Sequence, residues 1–157
     1  MERIWAPWRS KYIYLRNPKK CIFCVGKGRE HLADQKKYIL KRSKFAFSML
    51  NRYPYNNAHV MVAPKRHVKS LELLKKEEIA DLMNLVNFTK KKIDKLLKPN
   101  GYNIGFNVGK LAGAGFAKHV HIHIVPRWTG DTNFMPVISN AKVVSDSLDN
   151  MYNLLAE

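Results

Sequence analysis

A chain of 157 residues with 46% hydrophobic content fits one globular domain around a single core. Its 28 basic residues against 12 acidic ones leave a net charge of +16, which selects anionic partners: nucleic acid, a nucleotide polyphosphate or an acidic membrane surface. No run of about 18 apolar residues is present and the opening Met1-Glu2-Arg3-Ile4-Trp5-Ala6-Pro7-Trp8-Arg9 lacks the unbroken apolar core of a secretion signal, so the chain reads as cytoplasmic, with no membrane partner.

Residues 1–20, rich in aromatic and basic side chains with Pro7 and Pro18, predict an irregular arm lying across the domain. Cys21 and Cys24 are the only cysteines, and their two-residue spacing suits a metal knuckle or a redox pair rather than a disulfide scaffold. Structural zinc needs four ligands, so the pair alone is equally compatible with two unliganded thiols. Tyr38–Leu40 and Phe45–Leu50, flanking Lys41-Arg42-Ser43-Lys44, predict a hairpin. A loop of turn formers, Asn51–Asn57, leads to a third strand, His59–Ala63, stopped by Pro64.

Ile79, Leu82, Val86, Ile93, Leu96 and Leu97 recur at three- and four-residue steps and predict a helix between Lys76 and Lys98, stopped by Pro99-Asn100-Gly101. Tyr102–Val108 reads as a fourth strand. The following Gly109-Lys110-Leu111-Ala112-Gly113-Ala114-Gly115 is too glycine-rich to continue it and is a candidate phosphate cradle. His119–Val125 is a fifth strand ended by Pro126, and Ser145–Leu155 a short closing helix. Hairpin-length connections in this order predict an α+β fold: an antiparallel sheet of about five strands with one long helix and a short C-terminal one.

His119, His121 and His123 alternate with Val120, Ile122 and Ile124. Period two puts the three imidazoles on one displayed face and the aliphatics on the core face. With a rise of roughly 3.3 Å per residue the first and third Cα atoms lie about 13 Å apart, which argues against one ion taking all three. A division of labour suits the spacing better: the middle imidazole attacks and a neighbour orients it. With a pKa of about 6.5 imidazole is largely unprotonated at neutral pH, and the glycine loop and Arg127 offer N–H groups and charge for phosphate oxygens.

The stretch His119-Val120-His121-Ile122-His123-Ile124-Val125-Pro126-Arg127 resembles the signature of the histidine triad (HIT) family of nucleotide hydrolases and transferases, and Asn51 through His67 resembles that family's ribose-side loop and strand. The likeness covers roughly residues 21–128 as a HIT core. It leaves 1–20 as an N-terminal arm and 129–157 as a C-terminal extension of a single HIT domain. The flanks Trp5–Arg9 and Trp128–Pro136 resemble the branch containing bacterial diadenosine polyphosphate phosphorylases.

The resemblance implies that His121 is the nucleophile forming a nucleotidyl-imidazole and that His123 orients it, with His119 and His59 completing the cluster. It places Asn51 at the ribose and Asn107, Gly113 and Gly115 at the phosphates, with Lys110 standing in a loop that lacks the glutamine of the Fhit-like pattern; Arg127 and Trp128 join them on the substrate side. It also implies a structural zinc on Cys21, Cys24, His67 and His119, which gives His119 two competing roles, and a divalent cation accompanying the nucleotide.

The implied activity is cleavage of dinucleoside polyphosphates, with phosphate or water as acceptor. The positive charge of Lys110, Lys118 and Arg127 favours phosphate, hence diadenosine tetraphosphate phosphorolysis to ADP and ATP. The alternatives are a Hint-like nucleoside phosphoramidate hydrolase and, from another class, a basic nucleic-acid-binding domain stacking bases on Tyr53, Tyr55, Trp5 and Trp8. The family also implies a homo-oligomer, a dimer or larger, pairing sheets edge to edge.

Overall fold

The structure, a computed structural model, describes residues 21–26, 31–109, 111–139 and 142–156. The arm of residues 1–20 and Lys110 lie outside these. Five strands, β1 (Ile39–Arg42), β2 (Ala46–Leu50), β3 (Val60–Pro64), β4 (Gly101–Phe106) and β5 (Ile122–Arg127), form one sheet in the order β1-β2-β3-β5-β4, every neighbouring pair antiparallel. The helices are α1 (His31–Lys36), α2 (Lys76–Leu97), α3 (Met135–Ser139) and α4 (Leu148–Leu155). The α+β antiparallel architecture is the one expected.

The sheet is covered on both faces. Leu82, Leu85, Val86 and Ile93 of α2 are buried against Ala46, Leu50, Val60, Val62, Ile122 and Ile124, with Met151, Tyr152 and Leu155 of α4 extending the same core. Ile79 and Leu96, expected on the apolar stripe, stay half-exposed. On the other face Phe47, Met49, Met61 and Ala63 are capped by Phe23 and Val25 of the cysteine segment. Register sets which face the histidines take: Val60 pairs with Ile124 and Met61 with His123, so His123 joins the methionine face while Ile122 and Ile124 point at α2.

Several boundaries differ from expectation for identifiable reasons. β1 runs on through Lys41 and Arg42, because the Ser43 hydroxyl and the Phe45 N–H both donate to Asp81 of α2 at 2.6 and 2.7 Å, closing a shorter turn. β5 starts three residues late: His119, Val120 and His121 precede it, and Val120 N–H goes to the Val68 carbonyl instead.

Pro126 does not end β5. The Arg127 carbonyl accepts from Asn100 N–H on the β4 side, so the nitrogen of Pro126 points the other way, where β3 pairing has stopped at Val60, and its missing N–H breaks no rung. The short α1 and α3 carry too few turns to show a helical period.

Candidate active site and metal cluster

Hydrogen-bond partners assign the imidazole tautomers. A main-chain N–H can only donate, so the Tyr55 N–H at 3.1 Å makes Nδ1 of His59 an acceptor. His59 therefore carries its proton on Nε2 and donates it to Nδ1 of His123 at 2.9 Å. A carbonyl can only accept, so the His119 oxygen at 2.8 Å takes a proton from Nδ1 of His121. Nε2 of His121 is left with a free lone pair, the chemical requirement for a nucleophilic imidazole.

Packing holds these rings. Phe23 stacks on His121 with centroids 4.5 Å apart and planes 30° apart, and His123 meets His121 edge-on at 4.8 Å. Tyr55 lies 4.6 Å from His59 and 5.9 Å from His123. The expected displayed histidine face is thus corrected: His119, His121 and His123 are 0, 5 and 9% exposed. Alternation fixed the side of the sheet they share but not what covers it.

Burial dominates their electrostatics because a low-dielectric setting penalises the charged ring. It pushes His59 down to about 3, with repulsion from His123 and His121 adding to the effect. It also lowers His123 to about 4, and His121 is lowered for the same reason. The trio is neutral at neutral pH.

On the far side of His119 lies a second cluster. The ligand atoms of Cys21, Cys24, His67 and His119 all fall within 4.8 Å of one another. His119 donates Nε2–H to the Pro64 carbonyl at 2.9 Å, which turns the Nδ1 lone pair toward Cys21 Sγ at 3.5 Å and His67 Nδ1 at 3.2 Å. Cys24 Sγ lies 3.3 Å from the same His67 nitrogen. Tetrahedral bonds of about 2.3 Å to sulfur and about 2.0–2.1 Å to nitrogen place nitrogen pairs about 3.3 Å apart and sulfur–nitrogen pairs about 3.6 Å apart; the three close pairs match this, and a spacing as wide as 4.8 Å would have to shorten around an ion.

A carbonyl that takes the other ring N–H, as Pro64 does here, is the usual orienting partner of an imidazole that ligates a metal. Burial pushes the Cys21 thiol up from its ordinary value. Arg66, next to His67, is tied at 2.6 Å to Glu78, which also accepts the Lys75 N–H at the start of α2. This anchors the β3–α2 connection that carries His67.

The other expected site residues divide into two groups. Asn51 stays near the histidines: its Oδ1 accepts the Tyr53 N–H at 2.9 Å and its Nδ2 lies 3.4 Å from His59 Nδ1. Asn107 Nδ2 reaches the Gly113 carbonyl at 3.5 Å across the loop, where Gly113 takes a left-handed φ of 86° that suits glycine. Gly113 and Gly115 are exposed.

Arg127 and Trp128 are not brought to His121. Six residues of strand carry Arg127 about 20 Å from His121, and its guanidinium is committed to Asp131 at 2.7 and 3.0 Å and to Asn103 at 3.1 Å. Trp128 donates its indole N–H to the Leu97 carbonyl and borders a separate polar cleft of about 320 Å³ with Asn56, Asp131 and Lys142.

Phe23 and the Tyr55 main chain escaped the sequence reading. The spacing points to the cysteines rather than to either of the two residues between them, and Tyr55 reads in the sequence as a base-stacking side chain.

The HIT domain model matches residues 33–130. The chain is 36% identical over 162 aligned positions to an AP-4-A phosphorylase of Mycobacterium tuberculosis, covering 99% of this chain and 83% of that one. It is 34% identical to an adenosine 5′-monophosphoramidase of Schizosaccharomyces pombe, covering 68% and 74%. Its fold is similar to that of a Zn-bound histidine triad family protein from Mycobacterium smegmatis, with a TM-score of 0.65 at 22% identity, covering 88% and 91% of the two chains. With a buried histidine cluster in the antiparallel fold and a family match over residues 33–130, the chain belongs to the HIT domain family.

Proposed function

We propose that the protein is a nucleotidyl transferase that cleaves dinucleoside polyphosphates, diadenosine tetraphosphate above all, by phosphorolysis to ADP and ATP. The observation that carries this reading is the His121 tautomer: Nδ1–H is held by the His119 carbonyl and the Nε2 lone pair is free. The likeness to an AP-4-A phosphorylase along nearly the whole chain supports the substrate.

Nε2 of His121 attacks the α-phosphorus. A P–N bond forms, the P–O bond to the departing ATP breaks, and the electron pair leaves on ATP, a stable anion that needs no proton. As the imidazole becomes cationic, the His119 carbonyl stabilises the charge at Nδ1–H. An oxygen of inorganic phosphate then attacks the same phosphorus, the P–N bond breaks, and ADP leaves with His121 neutral again.

His123, held by His59, packs edge-on against His121 and keeps it in place. Asn51 serves the ribose, while Asn107, Lys110, Gly113 and Gly115 serve the phosphates, whose charge a divalent cation would share. His119, with both ring nitrogens engaged, has no proton to give a leaving group. This favours its metal role.

Zn²⁺ is the ion that suits a Cys₂His₂ set, and it would supply cross-linking rather than chemistry, since a closed four-ligand site leaves no open position. The Mycobacterium smegmatis fold relative is Zn-bound. On this reading the whole chain is one HIT domain, with 1–20 and 129–157 as its flanks. It forms a homodimer through the sheet edge at β4, where Asn103, Ile104 and Gly105 are exposed. Among the described residues no helix is long and apolar enough to cross a membrane, in keeping with a cytoplasmic place for the enzyme.

The test is incubation with diadenosine tetraphosphate, with and without phosphate. Phosphate should accelerate consumption and shift the products to ADP and ATP; unchanged rate and products overturn phosphorolysis. The likeness to an adenosine 5′-monophosphoramidase favours one second reading, in which the same nucleophile releases AMP from an amine, and product analysis with adenosine 5′-phosphoramidate separates the two.

A further inference from the structure

Phe23 sits between the two cysteines, is 1% exposed, and lies with its ring on His121 at 4.5 Å and beside His119 at 5.2 Å. Its place is set by the knuckle: Cys24 N–H donates to the Cys21 carbonyl at 3.2 Å and Val25 N–H to the Phe23 carbonyl at 3.0 Å, a tight turn with both thiols aimed into the metal cluster. Phe116 closes the other flank edge-on at 6.0 Å. A purely hydrophobic duty would require only that the ring fill the space beneath Phe47 and Met61. Instead the ring stacks over the imidazole, tilted 30° from its plane.

That orientation has a mechanical consequence. Rotating the His121 ring about its Cβ–Cγ bond swings it out of its own plane, and a ring stacked over it with centroids 4.5 Å apart and planes 30° apart opposes this. The bond from Nδ1–H to the His119 carbonyl then decides which of the two coplanar orientations is kept. Both restraints start at the same cluster, one from Phe23, next to Cys24 in the Cys21–Cys24 turn, and the other from the main chain of the ligand candidate His119.

We propose that Phe23 is a positioning residue: held by the Cys21/Cys24 knuckle, its ring locks the His121 imidazole so that Nε2 stays aimed at the incoming phosphorus, coupling an intact metal cluster to an aligned nucleophile. The proposal rests on His121 being the nucleophile. Misplacing a reacting atom by about 1 Å can cost on the order of 100-fold in rate, so a side chain of similar volume without a flat face should not substitute.

The experiment uses the full chain carrying Phe23→Leu, Phe23→Met or Phe23→Tyr, with metal content and melting temperature measured for each. The deciding readout needs no substrate: the ¹⁵N imidazole spectrum of His121 in the metal-loaded protein. Wild type should show a single Nδ1–H tautomer, and Phe23→Leu an average of two tautomers with metal content unchanged. In turnover of diadenosine tetraphosphate, kcat should fall by roughly tenfold or more with KM within about threefold, and Phe23→Tyr, which keeps the ring, should restore both signals.

Phe23→Met, whose unbranched chain adapts to irregular space, serves in place of leucine if that variant loses its metal. A ringless variant with full metal content and a wild-type His121 tautomer overturns the proposal, even if its melting temperature has dropped. Should His121→Ala retain turnover, the nucleophile reading falls, while the tautomer spectrum still reports whether Phe23 holds the ring.

Discussion

The carbonyl of His119 accepts the Nδ1–H of His121 at 2.8 Å, while the imidazole of His119 turns its own Nδ1 to Cys21 and His67. One residue thus faces two clusters, its main chain holding the proposed nucleophile His121 and its side chain lying among Cys21, Cys24 and His67. Both ring nitrogens of His119 are engaged, Nε2 with the Pro64 carbonyl and Nδ1 with Cys21 and His67, while its contact with His121 runs through the main chain.

Replacing His121 by alanine should reduce diadenosine tetraphosphate turnover by on the order of 10⁴-fold or more, the scale seen when a nucleophile is deleted. An exposed imidazole would leave the fold untouched, but His121 is 5% exposed beneath Phe23, so the variant should also melt lower than wild type. Steady-state rates and a thermal melt check both. Retention of a tenth of the activity would remove His121 from its role.

Protein purified without chelator should hold about one zinc per chain, and Cys24→Ser should lose both the metal and thermal stability, since binding free energy at such a site is folding free energy. Elemental analysis beside a melting curve decides. A Cys21→Ser/Cys24→Ser double variant as stable as wild type would rule out a structural ion.

Acid should weaken the fold before any carboxylate titrates. His59 sits near pKa 3 in the folded chain because burial penalises its charge, against about 6.5 unfolded. Between those values the unfolded chain binds the extra proton. Stability is therefore full above pH 6.5 and declines as pH falls toward 3, by up to about 1.4 kcal/mol per pH unit from this group. Glu78, held down to about 2 by Arg66, has the same sense in a lower window: its contribution is complete above the usual carboxylate range and is lost as pH falls below it. Urea unfolding at pH 7.5, 6.0 and 5.0 isolates the histidines, and a flat profile would contradict a neutral buried His59.

Asp131 collects Arg127, the side-chain amide of Asn56 at 2.7 Å and the Trp128 N–H at 3.1 Å, while lying by the polar cleft rather than at the histidines. Asp131→Ala should lower the melting temperature by several degrees, because the buried Asn56 amide loses a partner, with KM for diadenosine tetraphosphate moved by less than about threefold. A tenfold rise in KM would bring this end of β5 into the substrate site.

Local periodicity was enough to read the long helix, the five strands and the shared side of His119, His121 and His123, because a 3.6-residue or two-residue repeat is written into the chain itself. The spacing of Cys21 and Cys24 left a metal knuckle, a redox pair and two unliganded thiols open, and the HIT resemblance supplied His67 and His119 as partners for the first of these. Only the folded chain decided the rest. The tautomers depend on carbonyls and amides such as Pro64 and Tyr55 that reach each imidazole through folding, Pro64 from 55 residues away in the chain. The burial of the histidine face depends on Phe23, which the turn at Cys21 folds over β2 and β3. Arg127 looked close to the phosphates because it follows the motif, yet an extended strand moves each successive residue about 3.3 Å further along, and Asp131 at its far end takes the charge. Sequence neighbours diverge along a strand while distant atoms meet across a sheet, so the His59–His123 pair and the cysteine–histidine cluster depend on long-range contacts, while the His121 tautomer is set by a carbonyl two residues away.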